Sequence, residues 1–70
     1  MNNATLFMLY EGSSPDGRGY AKLVGKTIHK AAALKHYDVV SSNPYSCGYV
    51  KIVTKDNREF CATRRDIENV

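Results

Sequence analysis

Tryptophan is absent from the 70 residues, and cysteine occurs only at Cys47 and Cys61. A secreted disulfide scaffold of this length carries about four to eight cysteines, so that class is excluded. Long apolar runs are missing as well. The first, Leu6 to Tyr10, is five residues long, against the roughly 7–15 of a signal-peptide core. No stretch approaches the roughly 18 residues of a membrane span. No secretion signal is therefore expected, the Asn3-Ala4-Thr5 sequon carries no meaning, and the expected setting is the cytoplasm, away from membranes. Acidic residues are lacking over one long interval, between Asp16 and Asp38, in which Arg18, Lys22, Lys26, Lys30 and Lys35 all fall. The rest of the chain is slightly acidic, although the net charge is +3. A concentrated positive field in one half is the most informative asymmetry of the sequence.

What is present is the composition of a folded chain. The apolar fraction is 43%, ordinary for a globular protein and too high for disorder. The length allows a single domain, residues 1–70. Such a domain buries only about 60% of its unfolded surface, so its stability margin is thin.

Thr5–Tyr10 is apolar on both sides and reads as a buried strand. Glu11–Gly19 is turn chemistry, with Pro15-Asp16-Gly17 as nucleus. Tyr20–Gly25 alternates as a second strand. Thr27 is placed to cap a helix over Ile28–Tyr37, whose inward stripe is expected to be Ile28, Ala31, Ala32 and Leu34, with Lys30, Ala33 and Tyr37 opposite. Asp38 begins the exit, and Ser41–Ser46 is a loop because Asn43 precedes Pro44. Cys47–Thr54 and Glu59–Arg64 form a hairpin around Asp56-Asn57. Pairing Thr54 with Glu59 sets Ile52 opposite Cys61 and turns Cys47 and Cys61 to opposite faces, which leaves both thiols free. The last residues close as a turn or short helix.

The expected fold is α+β: a small antiparallel sheet in β-β-α-β-β order with one helix packed on it. Its inner residues are expected to be Leu6, Met8, Leu23, Leu34, Val50, Ile52 and Cys61.

Chemistry finds little purchase. Gly19–Thr27 nearly spells a phosphate-binding loop, but Tyr20 stands where that loop needs glycine. His29 and His36 lie about 10 Å apart along a helix, too far to share an ion. Cys61 sits mid-strand among apolar residues, and the carboxylates are scattered over turns. No catalytic residue, metal ligand or cofactor is expected, and no enzymatic activity.

The basic interval remains. By the two-residue strand period Arg18, Tyr20, Lys22 and Lys26 approximately share a face, Lys30 extends the field along the helix, and Tyr49, Lys51 and Arg64 share a hairpin face. Cations interleaved with tyrosine suit an acidic protein surface or a polyanion. These eight residues are the expected partner-binding set. The expected function is a bacterial or phage-type regulator or inhibitor that docks this basic-aromatic face on an acidic patch of a larger protein or nucleoprotein complex. The alternative is direct binding of DNA or RNA through the same residues, although no known reading motif is present. A thin core and an exposed edge strand also admit a homodimer.

The closing stretch GYVKIVTKDNREFCATRRDIENV, Gly48–Val70, resembles the last strands of SH3-like and Tudor-type barrels, where a hairpin is followed by a short helical turn. That resemblance implies an SH3-like barrel with an inserted helix as the alternative fold, and a role in binding peptides, modified side chains or nucleic acid.

Overall fold

The computed structural model describes residues 4–13 and 20–70. Strand β1 (Ala4–Glu11) pairs with β2 (Lys22–Thr27), helix α1 (Lys30–Ser42) crosses the sheet, β3 (Tyr49–Thr54) and β4 (Glu59–Ala62) form the closing hairpin, and α2 (Arg64–Glu68) ends the chain. All pairings are antiparallel and the strand order is β2-β1-β3-β4. The fold is the α+β sheet-and-helix arrangement expected from the sequence. The sheet is open, so the barrel implied by the closing stretch is not formed. The turn nucleus Pro15-Asp16-Gly17 lies outside the described residues.

Alternation along β1 decides which side is the core. Phe7 faces Ile52 and Leu9 faces Val50 across the ladder, and these four turn toward the helices. Phe7, Ala33, Val50, Ile52, Ala62 and Ile67 form the buried cluster, with Leu9, Leu34, Tyr37 and Val70 packed at its margin. Leu6 and Met8, expected inside, belong to the opposite alternation and are half-buried on the other face of the sheet. Leu23 is 41% exposed. Of the expected inner residues Val50 and Ile52 are buried, and Leu34 packs at the margin.

Helix α1 is rotated and longer than expected. Ala33 is fully buried, Tyr37 packs on the core, and Val40 is 7% exposed. Residues 33, 37 and 40 follow the three-to-four-residue helical spacing and make the inner stripe. Ala31, Ala32 and Ile28 are exposed, and Ile28 precedes the helix. The helix passes Asp38 because Val40 still has apolar surface to bury. Ser41 Oγ and Ser42 Oγ donate back to the carbonyls of Tyr37 and Val39. Asn43 then turns extended ahead of Pro44. The N-cap residue is His29, with no side-chain cap; the Thr27 hydroxyl instead accepts from His29 N–H at 3.0 Å.

The hairpin is one residue out of the expected register. Asn57 adopts φ 68°, a left-handed conformation that asparagine tolerates. It closes a three-residue loop, with Thr54 N–H donating to Arg58 O at 2.9 Å. Val53 therefore faces Glu59, Ile52 faces Phe60, Lys51 faces Cys61 and Val50 faces Ala62. A one-residue slip exchanges the faces of a whole strand. Ala62 is thereby buried, while Cys61, expected inside, is exposed beside Lys51. Both thiols are free, but the argument from opposite faces of the ladder does not hold for Cys61. At the end of β4, Thr63 and Asp66 form a reciprocal capping box that starts α2 and drives Ile67 into the core.

Candidate binding face of the sheet

Both helices pack on one side of the sheet, and the other side carries no described element. The register arranges that open side in rows. One row runs Lys26, Met8, Lys51, Cys61 across all the strands. A second runs Leu23, Tyr10, Tyr49, and a third includes Leu6, Val53 and Glu59. Lys26 and Lys51 flank Met8 two strand spacings apart, about 10 Å.

Tyr10 and Tyr49, directly opposed on β1 and β3, stack with centroids 4.5 Å apart and an interplanar angle of 11°. Lys51 Nζ lies over the Tyr10 ring, 5.4 Å from its centroid, and 3.8 Å from a carboxylate oxygen of Glu59. These contacts hold two rings and an ammonium in one arrangement. Tyr10 is anchored from below as well. Its backbone oxygen accepts from His36 Nε2 of α1 at 2.8 Å, a contact in which the ring nitrogen must donate. Lys26 has no ion-pair partner among the described residues.

The eight residues expected to form one patch are divided by the fold. Lys26, Tyr49 and Lys51 share the open face. Lys22 does not. A bulge between Leu9 and Tyr10 of the register inserts Val24, so Lys22 pairs with Glu11 on the helix side while Lys26 pairs with Met8 on the open side. The common face expected for Lys22 and Lys26 is thus cancelled by the extra residue. Lys22 and Val24 instead border a groove of about 390 Å³ beside Val39 and Val40 of α1. Tyr20 stands 85% exposed just ahead of β2. Lys30 donates from Nζ to the carbonyl of Glu68 at 2.9 Å, tying α1 to α2. Arg64, at the start of α2, bonds Asp38 and lies 3.8 Å from Glu68, on the helix side and not with Tyr49 and Lys51. Its hydrogen bond to Asp38 raises the guanidinium pKa above its ordinary value. Arg18 lies outside the described residues.

Two members of the open face, Met8 and Tyr10, were not in the expected set. Their signal was the strand Thr5–Tyr10, apolar on both sides in a chain too small to cover both.

Among the described residues no group of three or more His, Cys, Asp or Glu is placed to hold a metal ion. The segment resembling a phosphate loop is strand β2 from Lys22 to Thr27. No described helix is long and apolar enough to cross a membrane. The sequence matches no family model, and neither the curated proteins nor the solved structures contain a significant match.

Proposed function

We propose that this chain is a non-enzymatic binding domain, a small regulator or inhibitor of the bacterial or phage type. It lays the open face of its sheet on an acidic, partly apolar patch of a larger protein or nucleoprotein complex. The observation that carries this reading is that the described elements cover only one side of the sheet. A chain with a thin margin leaves Met8, flanked by Lys26 and Lys51, and the adjoining row of Leu23, Tyr10 and Tyr49 on the face away from its helices. Stacked tyrosines give flat contact area with few rotamers left to freeze, and the lysines select an acidic counterpart. Protein is favoured over nucleic acid because the two rings stack on each other and Lys51 lies over that of Tyr10, so they are not splayed to receive bases.

The test is capture from a nuclease-treated bacterial lysate by immobilised wild-type chain, by Lys26→Glu/Lys51→Glu, and by Lys22→Glu/Lys35→Glu as a helix-side control. A protein captured by wild type and by the control, but lost with the open-face pair, supports the reading. Loss with the control alone moves the site to the helix side. Capture that disappears with nuclease, together with binding to naked duplex whose log K falls against log salt with a slope of about −2, assigns the face to phosphate contacts instead.

A further inference from the structure

We propose that the free edge of β4 pairs with β4 of a second copy of this chain, joining two sheets into one about a two-fold axis at Phe60. This inference is independent of what the open face binds.

The backbone geometry selects the contact. Thr54 and Arg58 form a hydrogen-bonded pair, and in an antiparallel ladder such pairs alternate with non-hydrogen-bonded ones. Phe60 and Ala62 thus bond to β3, while the N–H and C=O of Glu59 and Cys61 point off the sheet. β4 is the last strand in the sheet order, and these groups have no partner among the described residues. The edge ends sharply. Thr63 N–H is taken by an Asp66 carboxylate oxygen at 2.9 Å, and Thr63 O by Ile67 N–H at 3.2 Å.

Only one self-pairing uses every free group. With the axis at Phe60, Glu59 pairs with the partner's Cys61 and Cys61 with the partner's Glu59, and all the outward donors and acceptors are matched. Shifting the axis to Cys61 pairs that residue with itself and sets Glu59 against the partner's capped Thr63, which halves the bonds.

Side chains agree with the first register. Phe60, 43% exposed, meets the partner's Phe60 at the non-hydrogen-bonded position where side chains come closest. On the open face the partner's Glu59 falls in the row of Lys51 and Cys61, where the short Cys61 side chain lets it reach the Lys51 ammonium. Glu59 is the sole charge within β4, and the strand has no lysine, proline or bulge, the usual guards of an edge. The short ladder makes this a weak, concentration-dependent dimer.

Two variants and one wild-type measurement test it, all on the full chain in reducing buffer. Cys61→Pro removes an N–H that the monomer does not use, and Phe60→Lys installs the missing guard at an exposed position. Sedimentation velocity across a rising concentration series is expected to show wild type shifting from monomer toward dimer mass. Either folded variant should lower the association constant by roughly tenfold or more. In wild type, exchange of the Glu59 and Cys61 amides should slow as concentration rises, with Lys26 on the opposite edge unchanged. A wild type that stays monomeric, a folded variant that dimerises like wild type, or concentration-independent exchange at Glu59 and Cys61 overturns the proposal.

Discussion

β2 and β4 lie at the two rims of the same sheet and differ in almost everything else. β2 carries Lys22 toward the helices, Lys26 toward the open face and a bulge between them, and Leu23 and Val24 stay largely exposed. β4 is four residues without lysine or irregularity, and it adjoins the half of the molecule where Ile52, Ala62 and Ile67 are buried. One rim is defended and lightly packed, and the other is unguarded among the described residues and backed by the core. Cohesion and edge protection are thus distributed separately in this small domain, because a lysine that guards an edge buries little apolar surface.

That contrast can be attacked from the packed side first. Ile67→Ala is expected to cost about 2–5 kcal/mol by transfer and cavity terms, which takes most of the stability of a domain this small; a urea melt measures it. Gly48→Ala comes next. A Cβ there would stand 2.7 Å from Tyr10 O and 2.8 Å from Val40 Cγ1, so about 1–3 kcal/mol should be lost, again read from the urea midpoint. Thr63→Ala removes one arm of the α2 capping box and should cost about 1 kcal/mol in the same melt. At the defended rim, Leu23→Ser should change stability by no more than about 0.5 kcal/mol, since it is already 41% exposed. A loss there comparable to Ile67→Ala would erase the distinction between the two halves.

The order of elements was legible because it rests on strong local signals: the apolar strand at Thr5–Tyr10, the alanine-rich helix and the Asp56-Asn57 turn. The helix face was not legible, since Ala31, Ala32 and Ala33 look alike and the deciding anchor, Val40, lies beyond Asp38 in a stretch that ends in serines. β4 and the site each turned on one residue. Asn57 in its left-handed conformation shortened the loop and reversed the faces of β4. Val24 at the bulge separated Lys22 from Lys26. Two-residue periodicity assumes that no residue is skipped, so it fails wherever a ladder gains one. The open face is half legible: Lys26, Tyr49 and Lys51 are in the expected set, while Met8 and Tyr10 lie in a segment whose apolar residues on both sides read as a buried strand.

The bulge at Val24 also bears on how many molecules can join. A sheet with two bare rims grows without end, because each added copy presents a fresh template. Here Lys22, Lys26 and the kink spoil one rim, so any edge-to-edge growth stops once the other is used. If β4 pairs with a second copy as proposed, the single extra residue in β2 is what would close the assembly at two.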